Sequence, residues 1–279
     1  MFFDLPFTWE GSSRIHLKYK KTLLKFSDIF GTNKLNMINS KSLIDISKFL
    51  IPIELKRIIK KNYLQYFRGS FSLNFQDKKM LKYLKKQNGY FIEIGANNGI
   101  DQSNTYLLEL KKNWKGILVE PSPNKFIECI KNRSSKNKFY CNACVSFDYK
   151  EKYVPITYSN LMTISNGLET DLENKDKHLK SSINHLNRNE RIIEFGAVAK
   201  TLTEILHESN IPKHIDFFSL DVEGAEISVL KGIDFNEYKI EYILVECRNI
   251  EKMQKFLTSK NYSLIKKMSN HDYLFGLNL

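Results

Sequence analysis

Several features are scarce in this sequence, and each scarcity excludes a class of protein. Four cysteines in 279 residues are too few for a disulfide framework, which indicates a reducing compartment. No apolar run reaches the length of about 18 residues that a membrane-spanning helix requires, so no span is expected. The first residues, MFFDLPFTWEGSSR, include an early acid and no long apolar core, which argues against a secretory signal. The sequence therefore predicts a cytoplasmic protein.

Metal-binding motifs are also scarce. Cys141 and Cys144 form one CxxC pair, but no second CxxC pair and no histidine pair accompany them, so a zinc site is not expected. We interpret these two cysteines as thiols of a buried strand.

The chain does contain enough apolar residues to bury a large core, since 42% of its residues are hydrophobic. Its formal charge of +12 is uneven. Residues 1–90 hold 18 Lys and Arg against 6 Asp and Glu, whereas the remainder holds 25 of each kind. The positive excess indicates either an anionic partner or a nucleotide bias in the genome, and the sequence leaves both open.

Residues 1–75 are interpreted as a basic, helical N-terminal extension. Within Leu23–Phe30 and Ser42–Tyr66, apolar residues at mixed helical spacing alternate with lysines, and Pro52 divides the longer run into two predicted helices. The extension could contact anionic lipid, a biosynthetic complex or a phosphate-bearing substrate, which would make the protein membrane-associated. A packed extension with a solvated lysine face is the interpretation we favour.

Residues 76–279 have the pattern of one α/β domain, because short apolar runs alternate with helical patterns, as in a mostly parallel sheet covered on both faces. The predicted strands are Tyr90–Ile94, Gly116–Glu120, Lys138–Val145, Tyr153–Tyr158, Arg191–Ala199, Ile215–Asp221, Tyr242–Cys247, Tyr262–Lys267 and Tyr273–Leu277. The predicted helices are Gln76–Lys86, one that begins near Tyr106, Asn124–Asn132, Leu202–Ser209, one that ends at Leu230, and Glu251–Ser259. The polar segment Ser159–Glu190 shows no clear strand and is the candidate substrate insertion.

A glycine-bearing turn follows the first predicted strand. The dinucleotide fingerprint GxGxxG requires a second glycine where a pyrophosphate approaches the backbone. Here the series is Gly95, Asn97 and Gly99, with Glu93 two residues ahead of the first glycine. The missing glycine and the added acid favour a cofactor without phosphates. S-adenosylmethionine, with its cationic sulfonium and its amino-acid tail, fits that description.

Three acids end predicted parallel strands, namely Glu120, Asp221 and Glu246. Because the carboxyl ends of parallel strands line one crevice, we expect these carboxylates to converge near the glycine turn. Glu120 lies 21 residues past Gly99 and can accept hydrogen bonds from both ribose hydroxyls of a bound nucleoside. Any one of the three acids alone would be better explained as a turn former or helix cap.

Four blocks in this order resemble the FkbM family of S-adenosylmethionine-dependent methyltransferases: FIEIGANNG, SNTYLLE, WKGILVEPSP and IDFFSLDVEGAEISVLKGI. The resemblance covers roughly residues 75–279. It implies a class I methyltransferase fold, which is a Rossmann-like, mostly parallel seven-stranded sheet with a reversed final strand. It also implies O-methylation of a hydroxyl, frequently on a sugar or natural-product scaffold.

The resemblance assigns cofactor-binding residues by position. The methionine portion would be surrounded by Glu93, Gly95, Ala96, Asn97 and Gly99, with Ser103 and Asn104 at the start of the next helix. Glu120 would hold the ribose beside Pro121 and Ser122, Ala143 and Cys144 would approach the adenine, and Asp221 would lie nearest the methyl donor.

Methyl transfer from a sulfonium requires mainly that the protein align the acceptor oxygen and accept its proton. Asp221 and Glu223 are the acids we assign to this catalytic role, with Glu226 and Glu246 as supporting polar groups. His185 in the insertion is a weaker candidate base, because a solvated loop histidine is the simpler interpretation. A divalent metal held by Asp221 and neighbouring acids is chemically reasonable, but no ligand spacing demands it.

The function predicted from the sequence is a sugar-directed O-methyltransferase that acts on a glycan, glycolipid or nucleotide-linked precursor. The alternatives are an RNA methyltransferase, motivated by the charge of +12, and a binding protein tethered through its basic N-terminal helices. Nucleic acid is the less favoured partner, because the charge excess is confined to the extension and no RNA-binding motif such as an RRM or KH signature occurs.

Overall fold

A computed structural model describes residues 68–172, 174–186 and 190–278. The helices predicted within Leu23–Tyr66 lie outside them, as does most of the predicted extension. The division of the chain at residue 75 stays a prediction. Phe71, which precedes this boundary, is buried against Tyr106 of the main domain, with ring centroids 4.7 Å apart.

The described domain alternates strands and helices. Its strands are β1 (Tyr90–Ile94), β2 (Lys115–Val119), β3 (Lys138–Tyr140), β4 (Ala143–Val145), β5 (Tyr153–Tyr158), β6 (Ile164–Ser165), β7 (Ile193–Thr201), β8 (His214–Leu220), β9 (Lys239–Glu246), β10 (Tyr262–Lys267) and β11 (Asp272–Leu277). Its α-helices are α1 (Gln76–Met80), α2 (Tyr106–Lys112), α3 (Pro123–Asn132), α4 (Lys175–Ser182), α5 (Leu202–Ser209), α6 (Glu226–Leu230) and α7 (Ile250–Thr258). No described helix has the length and apolar character needed to cross a membrane.

Seven strands form the main sheet, in the order β10-β11-β9-β8-β1-β2-β3. Strands β9, β8, β1, β2 and β3 are parallel, whereas β11 runs antiparallel to both of its neighbours, β9 and β10. The seven-stranded, mostly parallel sheet with a reversed final strand, predicted from the resemblance, is therefore confirmed.

Helices cover both faces of this sheet, which is why its central strands are apolar on both sides. In β1, Phe91 packs in a cluster with Leu108 and Trp114, and Ile92 packs on the opposite face with Leu206 and Leu230. Successive side chains of a strand point to opposite faces, so neighbouring apolar residues such as Phe91 and Ile92 supply the two layers.

A second sheet has the order β4-β7-β5-β6, with β4 parallel to β7 and β5 antiparallel to both of its neighbours. The predicted single strand Lys138–Val145 is wrong, because β3 pairs with β2 in the main sheet and β4 pairs with β7 in the second. The chain crosses between the sheets at Cys141 and Asn142. The Asn142 side chain donates to the Val198 carbonyl across that crossing.

Two further expectations need correction. The predicted helix Gln76–Lys86 ends at Met80, and turns lead from there to β1. The insertion Ser159–Glu190 contains the two-residue strand β6 and the helix α4, in which the Asn174 side chain caps the Lys177 N–H. Because β6 pairs with β5, the insertion is joined to the second sheet.

Candidate functional site

A solvent-open cleft of about 890 Å³ lies where β1, β2 and β8 end. This is the crevice expected outside the carboxyl ends of an open parallel sheet.

Gly95 allows two strand ends to meet at the base of the cleft. Its φ of +83° lies in the left-handed region, and a Cβ built at this position would stand 1.8 Å from the Asp221 carbonyl oxygen. The Asp221 N–H in turn donates to the carbonyl of Ile94 at 3.2 Å. Only glycine permits this approach, so the turn and the acidic end of β8 are fixed against each other.

Glu93 lies at the cleft wall but is engaged in a buried network. The guanidinium of Arg133 pairs with Glu93 at 3.0 Å and with Glu109 at 2.8 Å. Glu93 also accepts hydrogen bonds from the Thr105 hydroxyl at 2.6 Å and from the Asn104 N–H at 3.1 Å. The glutamate therefore positions the start of α2, and its charge is balanced by arginine.

Gly99 packs against the same buried network and does not line the cleft. Its φ is +78°, and an added Cβ would stand 2.8 Å from Cγ of Arg133 and 2.9 Å from Sγ of Cys129. The Gly99 carbonyl accepts a hydrogen bond from Nη1 of Arg133 at 3.1 Å. Gly99, which the sequence assigns to the cofactor loop, therefore leaves the space in which Arg133 packs against that loop.

Glu120 is buried directly after β2, and each of its carboxylate oxygens accepts one backbone hydrogen bond. Oε2 accepts from the Asn97 N–H at 2.8 Å, and Oε1 accepts from the Ser122 N–H at 2.8 Å. Burial raises the pKa of this carboxyl, whereas the two backbone donors act to lower it. Since a carboxylate has about four lone-pair sites, both oxygens keep capacity for hydroxyl donors in the cleft.

Asn104, at the start of α2, presents an unpaired acceptor. Its Nδ2 donates to the Ser219 hydroxyl at 3.0 Å, but its buried Oδ1 has no hydrogen-bond partner. A buried acceptor without a partner is costly, and Asn104 lines the cleft. The site therefore offers a place for a hydrogen-bond donor, such as an ammonium group, of a bound ligand.

Acidic side chains converge at the end of β8. Of the three acids expected to converge, Asp221 and Glu246 meet here together with Glu223, whereas Glu120 is held after β2 by backbone N–H groups. Asp221, Glu223 and Glu246 each have a carboxylate oxygen within 4.8 Å of those of the other two. Burial raises the pKa of Asp221 well above its usual range, and the neighbouring Glu246 and Glu223 raise it further. Glu226 stands apart from this trio, since its Oε1 accepts the N–H groups of Val222 and Gly224.

Two basic groups that the sequence did not single out face the acids. Arg248, just past β9, places Nη2 3.0 Å from Oε2 of Glu223 and 3.9 Å from Oε1 of Glu246. His178 of α4 places Nε2 3.6 Å from Oε2 of Glu223 and 3.2 Å from the carbonyl oxygen of Met162. Burial lowers the pKa of the His178 imidazole. The side chain of His185, the candidate base, lies outside the described part of the chain.

The insertion forms one wall of the cleft through Asn160, Leu161, Thr163 and Ser165. Glu190, at the end of the insertion, pairs with the buried Lys125 of α3 at 3.0 Å. At its middle, Asp171 accepts the Arg248 N–H at 2.6 Å. The predicted substrate insertion is thus anchored on both sides of the cleft.

Most of the residues that the sequence singled out lie together. Those that line the cleft are Glu93, Gly95, Ala96, Asn97, Ser103, Asn104, Glu120, Pro121, Ala143, Cys144, Asp221 and Glu223. Those beside it but outside the lining are Gly99, Ser122, Glu226 and Glu246. The roles assigned to these residues stay predictions.

Most of the described domain matches one protein family. A family model described as the methyltransferase FkbM domain matches residues 93–275. A comparison with curated proteins gave no match.

Among solved structures, TrmK of M. capricolum in complex with S-adenosylhomocysteine has 10% identity and a TM-score of 0.38, covering 74% of this chain and 67% of that one. A putative RNA methyltransferase from Pyrococcus horikoshii has 11% identity and a TM-score of 0.36, covering 73% and 83%. A methyltransferase from Pyrococcus furiosus has 10% identity and a TM-score of 0.39, covering 81% and 98%. With TM-scores below 0.5, these likenesses do not bear on the substrate. The class I fold is given by the sheet order and the family match.

Proposed function

The chain belongs to the FkbM family of S-adenosylmethionine-dependent methyltransferases, and from that premise we propose that it methylates a hydroxyl group of a sugar. The acceptor would be part of a glycan, a glycolipid or a nucleotide-linked precursor.

The residues of the cleft fit S-adenosylmethionine. The buried Oδ1 of Asn104 lacks a donor, and the amino group of the methionine portion would supply one. Glu120 keeps acceptor capacity for the two ribose hydroxyls, and Ala143 and Cys144 offer small side chains on the side assigned to the adenine. When bound, the cofactor supplies a methyl group on a sulfonium, which is already an activated leaving group.

The protein then has two tasks, to align the acceptor oxygen and to take up its proton. The polar wall of the insertion, with Asn160, Thr163 and Ser165, provides hydrogen-bonding groups for an acceptor that carries several hydroxyls. Asp221 and Glu223 line the same cleft and provide carboxylates for the proton. The polar groups of the insertion and the acids thus line one cleft, which is what the proposed reaction requires.

One observation favours a sugar over RNA as the methyl acceptor. Within the described part of the chain, the cleft lining contains five carboxylates, from Glu93, Asp101, Glu120, Asp221 and Glu223, and no lysine or arginine. A phosphodiester backbone is bound through cationic side chains, and this lining offers none. A neutral polyhydroxyl acceptor needs no cation, because its hydroxyls donate hydrogen bonds to the carboxyl and amide oxygens of the lining.

The test is methyl transfer from methyl-labelled S-adenosylmethionine, catalysed by the full chain, to oligosaccharide, glycolipid and nucleotide-sugar fractions of the source cell, with total RNA in parallel. Label should enter a carbohydrate fraction and should be lost with Asp221→Ala. Label that enters only RNA would overturn the sugar assignment while leaving the family assignment intact.

A further inference from the structure

Charges of opposite sign lie at the two ends of the main sheet. The carboxylates of the cleft lie where β1, β2 and β8 end. At the other end, β1, β2 and β3 begin within residues 85–90, 110–117 and 134–140, which contain seven lysines and no aspartate or glutamate. Six of these lysines are exposed and are called the basic surface below, namely Lys85, Lys86, Lys111, Lys115, Lys136 and Lys138.

Hydrogen bonds join the three segments that carry the basic surface. The Asn88 N–H donates to the carbonyl oxygen of Lys112 at 2.9 Å, and Nδ2 of Asn113 donates to Oδ1 of Asn88 at 2.6 Å. Nζ of Lys136 donates to Oδ1 of Asn113 at 3.0 Å. Since β1, β2 and β3 are neighbours in the sheet, with about 4.8 Å between adjacent strands, the lysines form one continuous surface.

The acids that contact these segments are already paired. Asp216 is 3% exposed, and its Oδ1 lies 2.8 Å from Nζ of Lys86. Glu109 of α2 pairs with the buried guanidinium of Arg133 at 2.8 Å. Neither carboxylate is left to neutralise the remaining lysines, so the basic surface keeps a net positive charge.

Two exposed aliphatic side chains flank the basic surface. Leu110, in the last turn of α2, is 42% exposed, and Ile130, in the last turn of α3, is 44% exposed. Both helices lead from there into the lysine-bearing segments. Lysines with exposed aliphatic side chains beside them are typical of proteins that lie on a membrane, because the lysines attract anionic headgroups and the aliphatic groups enter the boundary with the acyl chains.

The aromatic residues of these segments favour a lipid partner over a nucleic acid. Single-stranded nucleic acids are bound by cations together with aromatic rings on which the bases stack. Trp114 is 2% exposed, and its Nε1 donates to the carbonyl oxygen of Lys86 at 2.9 Å. The ring of Tyr90 lies under the ammonium group of Lys115, 5.0 Å from it. Neither ring is therefore free to stack with a base.

We propose that the basic surface binds an anionic membrane through its lysines, with Leu110 and Ile130 entering the headgroup region. The proposal goes beyond the proposed function and does not depend on the methyl acceptor. The five residues of β1 separate the basic surface from the cleft by about 15 Å. Binding of a membrane at one end of the sheet therefore leaves the cleft at the other end open.

The test is co-sedimentation of the full chain with two kinds of vesicle, one of phosphatidylcholine alone and one of phosphatidylcholine and phosphatidylglycerol in equal parts. The chain should bind the anionic vesicles and not the neutral ones. Added salt should weaken the binding, because it screens exposed charges. Equal binding to both kinds of vesicle, or binding to neither, would overturn the proposal.

A triple variant with Lys85→Gln, Lys111→Gln and Lys138→Gln locates the binding surface. Among the described residues these three side chains form no salt bridge or hydrogen bond, so the variant should keep the fold. Its binding to anionic vesicles should fall roughly 10–100-fold, since one lysine near an anionic leaflet contributes about fivefold.

The matched control is a second triple variant, with Lys150→Gln, Lys255→Gln and Lys266→Gln. These lysines are also exposed, and their loss changes the net charge by the same amount. The control should bind anionic vesicles like the wild type. Equal binding by the two triple variants would overturn the assignment to the basic surface, since net charge or another part of the chain would then be responsible.

Leu110→Gln combined with Ile130→Gln separates lipid from nucleic acid as the partner. This double variant keeps every lysine and should bind anionic vesicles roughly 3–10-fold more weakly, because less apolar surface is buried. Binding of a labelled single-stranded RNA is measured in parallel. RNA binding that is lost in the Lys85, Lys111 and Lys138 variant, together with vesicle binding that is unchanged in it, would overturn the proposal in favour of a nucleic acid.

Discussion

The backbone N–H of Asn97 donates a hydrogen bond of 2.8 Å to Oε2 of Glu120. This contact joins the glycine turn after β1 to the acid after β2, across two adjacent parallel strands. The ends of the strands are therefore held together by the same carboxylate that is proposed to bind the cofactor ribose. A substitution of Glu120 should therefore affect both ligand binding and the conformation of the glycine turn.

Glu120→Gln should weaken binding of S-adenosylhomocysteine by about tenfold or more, which corresponds to about 1.4 kcal/mol. The amide keeps the size of the side chain, but one oxygen becomes an NH₂ group that faces a backbone N–H. Isothermal titration calorimetry measures the change, with Glu208→Gln on the exposed part of α5 as the control. An unchanged dissociation constant would show that Glu120 does not contact the ligand.

Gly95→Ala should destabilise the fold by more than about 3 kcal/mol, because the new Cβ would overlap the Asp221 carbonyl in addition to the strain of a positive φ. Gly167→Ala is a matched control, since Gly167 has φ +77° and nothing within 4 Å of the added Cβ. That control should lose only about 1–2 kcal/mol. Urea denaturation measures the unfolding free energy of both variants. Equal losses of unfolding free energy would refute the close approach of Gly95 to the Asp221 carbonyl.

Arg133→Met should cost about 3–5 kcal/mol of unfolding free energy, because it leaves Glu93 and Glu109 buried without their cation. Lys200→Met removes a cation from a more exposed pair and should cost less than about 1 kcal/mol. The free energies come from urea denaturation at pH 7. A loss for Arg133→Met no larger than that of the control would contradict the role of this network.

Glu226 should make stability fall as pH rises above about 4.5. Burial raises the pKa of Glu226 to about 8 in the folded chain, so between these values the folded state retains a proton that the unfolded state has lost. The unfolding free energy should thus be lower at pH 8 than at pH 6, with a contribution of up to about 1.4 kcal/mol per pH unit from this group. Glu226→Gln should flatten the slope in urea titrations, and an identical slope would refute the assignment.

The central strands β1, β2, β8 and β9 could be predicted because they are largely buried runs, each of which ends at or just before a glycine or an acidic residue. Tyr90–Ile94 and Leu202–Ser209 have the predicted bounds, since a buried run and a capping residue each mark an end locally. The break at Cys141 and Asn142 could not be predicted, because an apolar run does not show which strand it will pair with.

The convergence of Asp221 and Glu246 could be predicted from strand order. The positions of the basic residues that contact the acids could not. Asp221 and Glu246 end neighbouring strands, so the sheet alone brings them together. His178 reaches Glu223 from a polar insertion with no motif, and Arg133 enters the glycine turn from the end of α3. Such contacts depend on tertiary packing, and the spacing of residues along the chain carries no signal for them.

The proposed function depends most directly on which ligand the cleft binds. Isothermal titration calorimetry of the full chain with S-adenosylmethionine and, separately, with NAD tests it. Saturable binding of S-adenosylmethionine at one site per chain, reduced by Glu120→Gln, with no binding of NAD, is the predicted result. Binding of NAD without binding of S-adenosylmethionine would contradict the account.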